Sequence, residues 1–333
     1  MRLPLLVCQH PGGEQILDAV EVDLVSGCRT AWFEVVDAGH YLLSELPGLT
    51  FPRLDFGDPR QRTLHVLAAA ERTRRVLEDV LGRPLLPPAQ AVLLSPAHTP
   101  VDRPRAAYAR YTHGLRAAIS FAFSRDRTWH ACALPDVIAH EVAHALWEAL
   151  SGWRPDDLTR QPQTAPIAEA LSDLVAVLAR AASQTALEHV LADCVGDLRR
   201  PNGLSRIGED RDGEYQRDLA SAPTWDEVQG ASVHEQGQVI AAACYLAFAG
   251  CQQEIAPTAD SVAATREALQ AALGPLFQAA AGLALSDSGL PAWPTVQALL
   301  QETLAQAPAG VHEQLYSAFC QHHLPGAPKP AIA

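Results

Sequence analysis

The run Asp136-Val137-Ile138-Ala139-His140-Glu141-Val142-Ala143-His144-Ala145-Leu146 sets two conditions that few folds meet together. Val142, Ala143, Ala145 and Leu146 are uncharged, so the helix they form is read as buried on nearly every face. Yet it carries His140 and His144, and residues four apart share one face of a helix. Burying a polar group without a partner costs roughly 2–7 kcal/mol. Two buried imidazoles at that spacing need a shared partner, and a metal ion is the economical one.

A second segment repeats the pattern. Ile167-Ala168-Glu169-Ala170-Leu171-Ser172-Asp173-Leu174 is also apolar and helical in character, with Glu169 and Asp173 on one face. A catalytic zinc takes three protein ligands and keeps one position open, so Glu169 is the candidate third ligand beside His140 and His144. Asp173, one turn on, is placed to accept the outer ring N–H of His140 and fix its tautomer. Glu141, one step round the first helix, is placed to take a proton from an attacking water.

The rest of the chain bounds the reading. With 333 residues there is material for two ordinary domains and a substantial core. A net charge of −13 argues against nucleic acid or an anionic membrane as partner. The seven cysteines are scattered, odd in number and never spaced Cys-x-x-Cys, which favours a reducing compartment. The apolar stretch after Met1 is too short for a secretory signal, and no run is long enough to span a bilayer. These features together place the chain in the cytoplasm.

Patterning predicts a mixed α+β first half and an all-helical second half, hence two lobes with the histidine-bearing helix at their junction. Residues 1–60 read as an irregular β-rich segment with strands at Glu21–Val25 and Trp32–Val36. Residues 61–151 read as an α/β lobe: a helix over Leu64–Leu81 closed by Gly82, strands at Ala91–Leu94 and Ala117–Phe123, then the histidine helix. Residues 152–325 read as the helical lobe, with 326–333 a tail. Its helices are expected over Ile167–Ala182, Gln236–Ala249, Ser261–Leu283, Thr295–Ala305 and Val311–His322.

His-Glu-x-x-His followed by Glu-Ala-Leu-Ser-Asp closely resembles the thermolysin-like zinc metallopeptidases, the gluzincin type. Two further segments match that pattern. Ser232-Val233-His234-Glu235-Gln236-Gly237-Gln238 resembles the family's catalytic-histidine segment, which implies that His234 stabilises an oxyanion. Ile207-Gly208-Glu209-Asp210 resembles another family motif, and Arg217 downstream would correspond to its substrate-carbonyl-binding arginine. The resemblance runs from about residue 60 to 325 and implies the two-lobed thermolysin-like fold.

There are departures. Arg160 stands where the family has an oxyanion-assisting tyrosine, and Ala168 where it has Asn before the third ligand. Gln229 replaces the carboxylate that partners the catalytic histidine, leaving Asp226 or Glu227 as substitutes. Asp136 and Glu209 match calcium-binding positions, but the carboxylate expected eleven residues after Glu169 is Arg180. A guanidinium there would neutralise the acids directly, so calcium is not expected.

The implied activity is hydrolysis of peptide bonds in a peptide or protein substrate, laid as an extended strand along Ala117–Phe123. Two alternatives stand beside it: a zinc aminopeptidase or oligopeptidase with a narrowed cleft, and a catalytically silent metallopeptidase fold used for binding.

Overall fold

The structure, a computed structural model, describes residues 2–9, 15–36, 53–96, 100–101, 106–110, 117–124, 130–152, 164–208, 215–255, 261–284 and 295–327. Strands β1 (Arg2–Gln9) and β2 (Gln15–Glu21) form an antiparallel hairpin with a register shift between Leu6 and Cys8. The expected strand over Glu21–Val25 is corrected: pairing stops at Glu21, and Val25 instead donates its N–H to Arg29 across a turn. The next expected strand is present as β3 (Phe33–Val35).

Helix α1 (Pro59–Leu81) begins five residues before its apolar periodicity does. The Asp58 side chain accepts from the Arg60 N–H, and Pro59 holds the first helical position, where its missing donor costs nothing. Gly82, at φ 66°, ends the helix in the left-handed conformation its sequence position suggested. Beyond it come β4 (Val92–Ser95), β5 (Pro100–Val101), β6 (Ala106–Arg110), β7 (Ala117–Phe121) and β8 (Phe123–Ser124). The main sheet has the order β3-β4-β7-β6, parallel except for the antiparallel β6. Strand β7 is therefore interior, hydrogen-bonded on both sides. A peptide cannot add along Ala117–Phe123 as expected; β6, which the sequence does not signal, is the last strand on that side among the described residues and lies against the histidine helix.

That helix, α2 (Pro135–Ser151), is followed by α3 (Ala165–Ala181) and α4 (Gln184–Asp193). A two-residue ribbon of β9 (Arg206–Ile207) and β10 (Arg217–Asp218) leads to α5 (Val233–Ile255), α6 (Ser261–Ala284), α7 (Val296–Gln306) and α8 (Ala309–Gln321). The chain is thus mixed α/β, with strands mostly before Leu134 and eight α-helices among the described residues.

Helix α3 sits at the centre, packed on α2, α5 and α1. Every residue of α3 except Arg180 is buried, and each aliphatic side chain so buried contributes about 1.5–3 kcal/mol. The core is continuous from Leu3 to Leu324, and the Trp147 and Phe277 rings stack across it at 5.9 Å. Among the described residues no helix is long and apolar enough to cross a membrane, and six cysteines are free thiols.

Candidate metal centre

Two crossings bring the site together. The α2–α3 crossing sets His140 and His144 against Glu169, Ser172 and Asp173; the α3–α5 crossing adds His234 from the first turn of α5. The second crossing is close because position 237 has no side chain. A Cβ there would lie 2.5 Å from the Glu169 Cβ and 2.9 Å from the Pro166 carbonyl oxygen. Helix α5 also starts earlier than expected, since Ser232 and Glu235 cap it: the Glu235 carboxylate accepts from the Ser232 N–H at 3.0 Å, and Ser232 Oγ accepts from the Glu235 N–H at 3.3 Å. This extra turn is what makes His234 helical and directs it at Glu169.

His140, His144 and Glu169 form the one group of potential ligands among the described residues, each offering an atom within 4.8 Å of the others. His140 Nε2 lies 3.2 Å from His144 Nε2 and 3.3 Å from Glu169 Oε2, while His144 Nε2 is 3.5 Å from Glu169 Oε1. Behind the rings, His140 Nδ1 donates to Asp173 Oδ1 at 2.8 Å, and His144 Nδ1 meets Ser172 Oγ at 3.2 Å. Both outer nitrogens are engaged, so both Nε2 atoms face the same point as Glu169. Such a buried group can hold a metal ion. The predicted ligand set and the Asp173 contact are thus brought together; Ser172 and Gly237 were missed, although helical spacing puts Ser172 on the face of Glu169 and Asp173.

The charges are tightly balanced. Burial alone would lower the His140 pKa, but its hydrogen bonds to Asp173 and Glu169 outweigh this and push it up to about 10. His144 has no such carboxylate bond, and burial dominates to hold it below the ordinary imidazole value. Burial would raise the Glu169 carboxyl, yet hydrogen bonds from His140 and His234 hold it far below the usual range. Arg217, on β10, reaches 3.2 Å from Asp173 Oδ1 and 3.8 Å from Glu169 Oε2. It therefore compensates the two acids at the back of the site.

His234 is 61% exposed on its side chain, and its Nδ1 stands 2.7 Å from Glu169 Oε2. That contact raises its pKa, against the opposing effect of burial. The expected substitutes for its missing carboxylate are corrected. Asp226 pairs with His323 at 2.9 Å, and Glu227 accepts from the Thr224 N–H at 2.7 Å, so the acid that holds His234 is Glu169 itself. Arg180 does approach Asp136, at 3.9 Å, while Asp136 Oδ2 accepts from the Gly208 N–H at 2.6 Å. Glu209 and Arg160 lie outside the described residues.

No protein-family model matches the chain, and no curated protein matches it significantly.

Proposed function

We propose that this protein is a zinc-dependent peptidase of thermolysin-like type. The observation that carries the reading is the convergence of three donor groups: the two Nε2 atoms stand 3.2 Å apart, and one Glu169 carboxylate oxygen faces each ring, at 3.3 Å from His140 and 3.5 Å from His144. Around a tetrahedral zinc with bonds of about 2.0–2.1 Å, neighbouring ligand atoms stand about 3.3–3.4 Å apart. The donor set, two imidazoles and one carboxylate with a buried acid behind the first imidazole, is also the one that suits catalytic zinc. Bound there, zinc would supply Lewis acidity to water and to a substrate carbonyl.

The chain's own residues account for the remaining steps. Glu141 directly follows His140 on α2 and is only partly buried, so it can take a proton from the attacking water and return it to the leaving amine. His234, with Nδ1 committed to Glu169, has its other ring nitrogen available to donate to the oxyanion that develops on the substrate. Arg217 pairs with both carboxylates and stands near enough to Glu169 to orient a substrate carbonyl. Among the described residues no strand pairs with the outer side of β6, and β6 runs beside α2. A substrate backbone adding there would be delivered along the histidine helix.

The test is metal analysis combined with cleavage of a broad peptide library by the wild type and Glu141→Gln. The expected result is equal zinc content with cleavage about 10²–10⁴-fold slower in the variant. Zinc-loaded wild type that cleaves no faster than Glu141→Gln would leave a metal-binding protein without peptidase activity.

A further inference from the structure

We infer that Ser172 is the positioning residue for His144, so that α3 supplies one metal ligand and the separate supports of both others. This rests on the metal reading of the site and deepens it. Glu169, Ser172 and Asp173 occupy helical positions i, i+3 and i+4, which lie on one face. Asp173 Oδ1 takes the Nδ1 proton of His140 at 2.8 Å, and Ser172 Oγ meets Nδ1 of His144 at 3.2 Å. Both Ser172 and Asp173 are fully buried, so no water replaces either contact.

The direction of the serine contact follows from what faces the other side of the ring. A hydroxyl can donate or accept. If Ser172 donated to Nδ1, the His144 proton would sit on Nε2, which points at His140 Nε2 only 3.2 Å away. An ion held by both rings needs the Nε2 lone pair of each, so a proton on His144 Nε2 would close the site to the metal. With Ser172 accepting, His144 keeps its proton on Nδ1 and turns a lone pair from Nε2 toward the centre. The two supports are unequal: a carboxylate behind His140 and a neutral hydroxyl behind His144.

The experiment has two arms. In metal-free wild type, ¹⁵N resonances of the imidazoles should report His144 protonated on Nδ1, and Ser172→Ala should shift it to a mixture of tautomers. In competition titrations with a chelator, Ser172→Ala should bind zinc about 10–100-fold more weakly than wild type. Its metal-free far-ultraviolet circular dichroism should stay that of wild type. His144 protonated on Nε2 in metal-free wild type overturns the inference without any variant. So does an alanine variant with wild-type zinc affinity and an unchanged His144 signal. A wild type that takes up no zinc overturns the metal reading instead, and the tautomer measurement, made without metal, still decides whether Ser172 sets His144.

Discussion

At the scale of single residues, Gly237 separates an ordinary helix position from a functional one. Glycine inside a helix costs about 0.8–1.0 kcal/mol relative to alanine, so Gly→Ala within α5 should stabilise the protein if nothing opposed it. Here the added carbon would meet Glu169 Cβ at 2.5 Å and the Pro166 carbonyl oxygen at 2.9 Å, and a backbone atom cannot swing aside. Gly237→Ala must therefore push α5 from α3, moving His234 off Glu169 and tilting the third ligand. The expected outcome is a lower unfolding midpoint, weaker zinc binding in a chelator titration, and slower peptide cleavage. An alanine variant more stable than wild type, with unchanged zinc affinity, would show that the helices have room. The wider lesson concerns what patterns encode. His140, His144, Glu169 and Asp173 could be recognised because their charge conflicts with apolar helices at fixed spacing. Gly237 gives no such signal, since its meaning lies in the helix it touches.

At the scale of elements, buried His65 fastens the N-terminal hairpin to α1. Its Nδ1 accepts from the Leu6 N–H at 3.1 Å, and its ring meets Phe56 edge to face. Complete burial lowers its pKa from 6.5 to about 3. The unfolded chain thus binds a proton below pH 6.5 that the folded chain refuses until about pH 3. Stability from this group is full above the unfolded pKa and declines as pH falls through that window, by up to about 1.4 kcal/mol per pH unit. His65→Gln can keep an acceptor for Leu6 but does not titrate. Between pH 6.5 and 4.5, wild type should lose about 2–3 kcal/mol more than the variant, read from urea midpoints. Parallel curves would mean that His65 is already accessible to protons.

The sequence-based reading located every helix with a long apolar period, including α1, α2, α3 and α6, because their faces alternate over several turns. It missed α4, whose ten residues are too few for a clear period, and β6, whose Ala106-Ala107-Tyr108-Ala109-Arg110 lacks β-branched residues. It also missed the first turn of α5, where capping by Ser232 and Glu235 rather than periodicity sets the start. Without β6, the outer edge of the sheet is placed one strand too far in. Pairing across a sheet is set by distant segments and leaves little mark on local composition.

At the scale of the whole molecule, an ion held by His140, His144 and Glu169 would stabilise either one cooperative unit or two. The sequence suggests two lobes, whereas the buried core runs without a break from Leu3 to Leu324 and passes through α2, α3 and α5. A ligand that binds only the folded state stabilises by about 4.1 kcal/mol at a thousand times its Kd. For a chain of this size that is on the order of 5–10 °C in Tm. Because the ion would join helices that share the core, chelation should move the entire unfolding transition downward and leave it single. Glu141→Gln, which removes no ligand, should retain the zinc-dependent rise. Glu169→Gln should lose most of it, since a neutral amide is a poor ligand and no longer balances His140, His234 and Arg217. Calorimetry with zinc and with chelator distinguishes the possibilities. A chelated sample that splits into two transitions, with only one shifted, would mean that the lobes unfold independently despite their shared core. A Glu169→Gln variant with the full wild-type rise would remove Glu169 from the ligand set.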